Sequence, residues 1–145
     1  MPRTITAANT VIYLGATNLF AIPQRLEGFD VDDIFNTDPV NNSEVRMGVD
    51  GKLSIGWVPM PIVQNFMLQA DSDANDFFDT VIAAQAAARE SYTLFGTILI
   101  PSLQRVYAMT KGVLGQNQPI SNAKKVMQPR TFQVTWESVV GAPSL

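Results

Sequence analysis

A hairpin signal near residue 50 constrains the fold more than any other feature of the sequence. Apolar residues alternate with polar or small ones on both sides of Asp50-Gly51, first at Val45, Met47 and Val49 and then at Leu53, Ile55 and Trp57. Both residues of the Asp-Gly pair tolerate the positive φ angles of a type I′ turn, whose twist matches that of the flanking strands. Alternation with a period of two places the apolar residues on one side of each strand. The sequence therefore predicts an antiparallel hairpin over residues 45–58.

The same period of two predicts further strands along the chain. They are expected at about residues 4–14, 62–70, 92–100, 106–114 and 126–140. In the last of these, the pattern places Phe132, Val134 and Trp136 on one side. The other side carries small or polar groups, at Thr131, Gln133, Thr135 and Glu137.

One helix is expected, at about residues 73–90. Ser72 or Asp73 can accept hydrogen bonds from the unpaired N–H groups of its first turn. Apolar residues then recur at helical spacing and give one face to bury, which we expect to lie against a sheet. The predicted fold is mainly β with this flanking helix, in a single domain over residues 1–145. Residues 15–43 are expected to form an insert or loop region within it.

The sequence has no histidine and no cysteine. This excludes Cys or His nucleophiles, zinc sites built on thiolate or imidazole ligands, and disulfides. It also has no glycine-rich phosphate loop. We therefore expect no catalytic residue, no metal site and no cofactor, and we expect a protein that is not an enzyme.

The charge balance argues against a nucleic-acid binder. Lys plus Arg is 10 and Asp plus Glu is 13, a formal net charge of −3, whereas proteins that neutralise phosphates have a basic excess. The acidic residues include a run without any base inside it, at Glu27, Asp30, Asp32, Asp33 and Asp38. We interpret this run as a solvated acidic face.

No segment has the pattern of a membrane anchor or an export signal. The most apolar stretch near the N-terminus, residues 11–22, contains Gly15, Thr17 and Asn18 and is followed by Pro23. It is too short and too polar to span a bilayer. We therefore expect a protein without a membrane anchor that is made in a cytoplasm.

Three motifs give the chain a family resemblance. They are VRMGVDGK at residues 45–52, LQADS at 68–72 followed by Phe77-Phe78, and AKKVMQPRTF at 123–132. In this order they resemble the tail tube proteins of long-tailed bacteriophages, most closely those of contractile-tailed phages. The resemblance covers about residues 43–139, and residues 15–42 do not take part in it.

The resemblance implies a β-barrel-like or sandwich-like subunit with one flanking helix. It also implies a structural virion protein of the tail, assembled in the host cytoplasm. Its copies would form rings, as hexamers, that stack into a hollow tube through which DNA and a tape measure protein pass. The implied partners are other copies of the chain, a tail sheath protein, the tape measure protein, and baseplate and terminator proteins. DNA would pass through the lumen without specific binding, since a negative wall repels a polyanion.

Two sets of residues are candidates for this assembly. Contacts between subunits are expected from the hairpin and the loop before it, at Pro39, Val45, Met47, Asp50, Gly51, Leu53 and Trp57. The lumen is expected to be lined either by the acidic run or by the polar side of the last strand, that is, by Glu27, Asp30, Asp32 and Asp33 or by Thr131, Gln133, Thr135 and Glu137.

Other functions remain open at this point. A tail terminator, a baseplate-type ring protein and a secretion-system tube protein would share the same general fold. A small β-barrel that binds an apolar ligand is the non-structural alternative, because two Trp and eight Phe could line an interior cavity. A hydrolase built on two carboxylates is disfavoured by the order and spacing of the acids.

Overall fold

The computed structural model describes residues 10–17, 19–29 and 34–143. In these ranges it contains nine strands, one α-helix and a short 3-10 turn at Pro101–Leu103. The elements are β1 (Val11–Ala16), β2 (Phe20–Leu26), β3 (Phe35–Thr37), β4 (Ser43–Met47), β5 (Leu53–Trp57), β6 (Ile62–Leu68), α1 (Ala74–Ala88), β7 (Leu94–Ile100), β8 (Arg105–Asn117) and β9 (Arg130–Pro143). The predicted fold class, mainly β and sandwich-like with one helix, is confirmed.

Seven of the strands form one antiparallel sheet in the order β2-β1-β7-β8-β9-β6-β3. The sheet is open, with β2 and β3 as its two edge strands. Strands β4 and β5 pair only with each other and form a separate hairpin. The described chain therefore consists of a body, in which the helix packs on the large sheet, and a hairpin that does not pair with that sheet.

One face of the large sheet carries the core. Phe132, Val134 and Trp136 of β9 are fully buried, and the alternation predicted for this strand is confirmed. The indole N–H of Trp136 donates to Oε1 of Gln64 on β6 at 3.0 Å, and Gln64 is itself 4% exposed. A buried indole needs such a partner, because an unsatisfied donor in the core is costly.

Helix α1 covers this face through its aromatic residues. Phe78 is fully buried and stacks on Phe132 with ring centroids 4.2 Å apart, and Phe77 meets Phe78 edge to face. The helix spans Ala74–Ala88, slightly inside the predicted 73–90. Ser72 rather than Asp73 caps it, since Ser72 Oγ accepts from the Ala74 N–H at 3.2 Å and Asp73 makes no capping bond.

The segment expected as an insert or loop, residues 15–43, contributes both edge strands. β2 pairs with β1, and β3 pairs with β6. Phe20 of β2 packs on Phe77 with ring centroids 4.9 Å apart, and Phe35 of β3 packs on Phe66 at 6.3 Å. Local signals did not predict these strands because β2 contains Pro23, which is unusual inside a strand, and β3 is only three residues long.

Strand β8 is longer than its sequence pattern indicates. The pattern predicts a strand that ends at about residue 114, but β8 runs continuously to Asn117. Lys111 adopts a left-handed conformation (φ 48°), and the pairing of β8 with β7 shifts register at this point. A β-bulge therefore absorbs the irregularity, and the strand continues.

Gly112 leaves room for the ring of Trp136. A Cβ placed on Gly112 would lie 2.3 Å from Cε3 of that ring. We expect Gly112→Ala to lower the free energy of unfolding by about 2 kcal/mol, because a fully packed interior must shift to admit the methyl group. Urea denaturation followed by circular dichroism measures this change.

The matched control for Gly112→Ala is Gly115→Ala on the same strand. A Cβ at Gly115 would make ordinary contacts, the nearest at 3.5 Å from the hydroxyl of Thr135. Its expected effect is within about 0.5 kcal/mol. Equal losses for the two variants would contradict the account of Gly112.

Candidate assembly surfaces

The β4-β5 hairpin displays an uncovered apolar face. Directly paired residues share one side of a ladder, and the pairs Val45–Ile55 and Met47–Leu53 therefore lie on the same side, with Trp57 opposite Ser43. Their exposures are high: 57% for Val45, 67% for Met47, 52% for Leu53, 72% for Ile55 and 72% for Trp57. We call this surface the apolar hairpin face. All four apolar residues predicted here to contact other subunits lie on it, and Ile55, which was not among them, completes it.

The other side of the hairpin is polar. Glu44 and Arg46 lie there and form an exposed ion pair at 3.5 Å. The hairpin is therefore amphipathic, yet nothing in the described chain covers its apolar side. A two-stranded hairpin alone in water is at best marginally stable, and an exposed apolar patch of this kind is typical of an interaction surface.

The turn of the hairpin differs from the predicted type I′. Gly51 N–H donates to Gly48 C=O at 3.0 Å, and Gly48 N–H donates to Lys52 C=O at 2.8 Å. A type I′ turn centred on Asp50-Gly51 requires a positive φ at both residues. Only Gly51 has a positive φ, 83°. The arrangement is a type I turn followed by a glycine bulge, and Asp50 Oδ1 reinforces it by accepting from Lys52 N–H at 3.2 Å.

Proline residues flank the hairpin on both sides. The exposed Pro39 lies in the loop before β4, and Pro59 and Pro61 separate β5 from β6. The Val58 N–H donates to Asn42 C=O at 2.7 Å and closes the base of the hairpin. Because proline has no N–H to give to a ladder, these residues end the pairing and set the hairpin apart from the body.

The side of the sheet opposite α1 is polar where β9, β6 and β3 meet. We call this side of the sheet the open face. It carries Thr131, Gln133, Thr135 and Glu137 of β9, as predicted from the alternation. Gln133 donates to Asn65 at 3.3 Å, and Asn65 donates to Asn36 at 2.8 Å, so that a ladder of amides crosses three strands. Glu137 pairs with Lys111 at 3.6 Å, which leaves this part of the face polar and nearly neutral.

The acidic run is only partly described. Glu27 is exposed and pairs with Arg25 at 3.3 Å. Asp30, Asp32 and Asp33 lie outside the described residues.

A buried arginine links the helix to β9. Arg130, 6% exposed, donates to both carboxylate oxygens of Asp79 on α1, at 2.7 and 3.1 Å, and to Gln118 C=O at 3.0 Å. Its guanidinium also lies 4.8 Å from the centre of the Phe132 ring. The last of the three sequence motifs contains this arginine, which here has a structural role.

We expect Arg130→Met to lower the free energy of unfolding by about 2 kcal/mol. The substitution keeps the apolar stem but leaves Asp79 and the Gln118 carbonyl without their partner. The exposed pair Arg25–Glu27 supplies the control, and Arg25→Met is expected to change stability by less than about 0.5 kcal/mol. Thermal and urea denaturation measure both, and an equal loss for the two variants would contradict a special role for Arg130.

The part of the chain that the structure describes offers little for a metal site or a membrane span. It shows no group of three or more acidic side chains that could hold a metal ion. No helix there has the length and hydrophobicity needed to cross a membrane. A groove of about 550 Å³ is open at the surface and is lined by Gln69, Ala70, Asp71, Val126, Met127 and Pro129.

The sequence family settles the broader class of this protein. A family model described as tail fiber protein gp32 matches residues 3–140. The chain belongs to this family. The resemblance to phage tail proteins is thereby confirmed at the level of a tail protein, and the gp32-family match includes residues 15–42, which the three motifs leave out.

Solved structures show where else this fold occurs. The gp32-family chain is similar to a chain in the six-fold symmetrised baseplate of the anti-feeding prophage, with TM-score 0.56, 9% identity, and coverage of 99% of this chain and 98% of that one. It is also similar to a chain in the tube terminating cap of the anti-feeding prophage, with TM-score 0.61, 8% identity, and coverage of 99% and 94%. At these identities the likeness establishes the fold alone. No curated protein sequence is significantly similar to the chain.

Proposed function

We propose that this tail protein is a self-assembling subunit that forms rings around the tail channel and catalyses no reaction. The observation that carries the proposal is the apolar hairpin face, which is exposed in the single chain. Burial of apolar surface is the main driving force of association, and a chain that carries both an uncovered face and an open sheet can bind copies of itself head to tail. Such contacts close into rings or continue as filaments.

The open sheet supports the same proposal. Its edge strands β2 and β3 are blunted by Pro23 and by shortness, which disfavours uncontrolled edge-to-edge pairing. Association through a projecting hairpin, rather than through these two edge strands, favours an assembly of defined geometry.

The polar part of the open face, where β9, β6 and β3 meet, is the proposed lining of the channel. Threonine and amide groups on β9 and β6 form a wettable wall, and Lys111, which faces Glu137, is neutralised there. A wall of this kind neither grips phosphates nor presents an apolar barrier. Together with the net charge of −3, it suits a conduit that DNA and a tape measure protein cross without specific binding.

The proposed location is the tail of the virion, with assembly in the host cytoplasm. The proposed partners are other copies of the chain in hexameric, stacked rings, a surrounding sheath protein, the tape measure protein, and the baseplate and terminator proteins at the ends. These partners rest on the motif resemblance described above, and no membrane anchor is part of the proposal.

A second candidate is a ring that ends or starts the tube. The similarity to chains in a tube terminating cap and a baseplate favours it. By contrast, a ligand-binding barrel gains no support from the interior, which is filled by the fully buried Phe66, Phe78, Phe132 and Trp136.

Electron microscopy of the purified protein over a range of concentrations tests the proposal. We expect rings or stacked rings whose abundance rises with concentration, together with the matching shift in light scattering. Monodisperse monomers at every concentration would overturn it. The two candidate functions predict assemblies of different length. A tube subunit adds rings without limit, whereas a cap or baseplate subunit stops at one ring or a few.

A further inference from the structure

Strand β9 is paired on both sides along only half of its length. Residues 130–136 pair with β6 on one side, ending at Ile62–Trp136. Residues 137–143 continue beyond this point and pair with β8, up to Arg105–Pro143. Within the described ranges no other strand pairs with this second half, which we call the free β9 edge.

The chain's own prolines leave this edge open. If β6 began earlier, Pro61 and Pro59 would have to lie alongside residues 137–139. Neither proline can donate to a ladder. The chain instead turns away at this point into the hairpin, whose base closes on itself through Val58 and Asn42. No strand of the described residues therefore occupies the position beside the second half of β9, and a strand of another copy can pair there.

The free β9 edge has little of the protection that edges usually carry. Its residues 138–143 are uncharged, and its one proline, Pro143, is at the very end. Natural edge strands are guarded by charges, prolines, bulges or shortness. An uncharged edge of about 20 Å, at 3.3 Å for each residue, is a template for adding a strand.

Strand β5 has the properties that this edge requires. Its residues, Leu53–Trp57, are all uncharged, whereas β4 carries Glu44 and Arg46. One side of β5 pairs with β4, and within the described residues the other side has no paired strand. Its five residues extend about 17 Å, which fits within the free β9 edge.

The apolar sides of the two strands also match. On the open face at the free edge, Val140 is 61% exposed. A strand added with Leu53, Ile55 and Trp57 on this side would place these side chains beside Val140, and the cross-strand contacts would bury part of the apolar surface of each.

We propose that strand β5 of one copy adds to the free β9 edge of a second copy, with the apolar hairpin face continuing the open face around Val140. This inference rests on the proposed self-assembly and names the contact through which it occurs. The contact is heterologous, because hairpin and edge are different surfaces, and each copy can therefore use both and extend a ring.

Cysteine cross-linking in assembled particles tests the contact directly, because the natural chain has no cysteine. Two populations are mixed with an excess of the natural protein: one carries Ile55→Cys, and the other carries Ser138→Cys, Val140→Cys or Ala142→Cys. After mild oxidation we expect a disulfide-linked dimer of the two variants for at least one of the three edge positions. The control partner is Ala87→Cys, at the exposed end of α1, which should give no such dimer.

The outcomes separate this contact from self-assembly as such. Particles that form normally but link Ile55→Cys to none of the three edge positions would overturn the proposed contact and leave the assembly function standing. Linkage to Met127→Cys in the surface groove would assign the hairpin to that groove and likewise overturn the proposal. Failure of the natural protein to form particles at all would overturn both.

Discussion

Phe78→Ala is expected to lower the free energy of unfolding by about 4 kcal/mol. The side chain is fully buried, and it stacks on Phe132 at 4.2 Å and contacts Phe77 and Phe66 at ring-centroid distances of 5.2 and 6.4 Å. Truncating a phenylalanine in such a cluster loses its burial and leaves a cavity between helix and sheet. Since domains are commonly stable by 5–15 kcal/mol, the variant would be close to unfolding.

The measurement is urea denaturation at a protein concentration low enough to keep the chain monomeric. Tryptophan fluorescence reports on Trp136 in the core, and circular dichroism reports on the helix. Ile22→Ala serves as control, because Ile22 is 76% exposed and its truncation should cost less than about 0.5 kcal/mol. A loss below about 1 kcal/mol for Phe78→Ala would show that α1 does not pack on the sheet as described.

The double substitution Ile55→Ser and Trp57→Ser is expected to abolish assembly without unfolding the chain. Both side chains are 72% exposed in the single chain, and the monomer therefore loses little when they are removed. If assembly buries them, each contributes about 2 kcal/mol. Together they account for about 4 kcal/mol, which corresponds to a shift of about a thousandfold in the concentration needed for association.

Sedimentation and electron microscopy measure that shift, and thermal unfolding of the monomer provides the comparison. Arg46→Gln is the matched control, because it changes the polar side of the same hairpin and leaves the apolar side intact. A double variant that still assembles at the normal concentration would show that the apolar hairpin face is not a subunit contact. A double variant that unfolds would instead make the hairpin part of the folding core.

The two tryptophans show what alternation predicts and what it does not. Alternation places Trp136 and Trp57 each on the apolar side of a strand, and Trp57 was also expected to contact other subunits. In the structure Trp136 is fully buried whereas Trp57 is 72% exposed. Periodicity identifies the apolar side of a strand, but the element that covers that side is set by long-range topology, because α1 reaches β9 and does not reach the hairpin.

The parts of the candidate site that depend only on neighbouring residues in the sequence could be predicted. The apolar hairpin face follows directly from alternation in residues 45–57, and the polar side of β9 follows from the same rule. The free β9 edge could not be predicted in this way, since it depends on where β6 ends relative to β9. Pro59 and Pro61 were the available signal: they indicate where pairing ends, but the strand that they leave unpaired is visible only in the folded sheet.

The separation of the hairpin from the sheet has a consequence for how such a chain can diversify. Residues that secure folding, such as Phe78 and Trp136, lie in the body, and those that would choose a neighbour lie on an appendage bounded by prolines. Grafting this appendage onto the body of a related chain should exchange recognition while leaving thermal stability almost unchanged. Recognition and folding would then be free to evolve on separate parts of one small polypeptide.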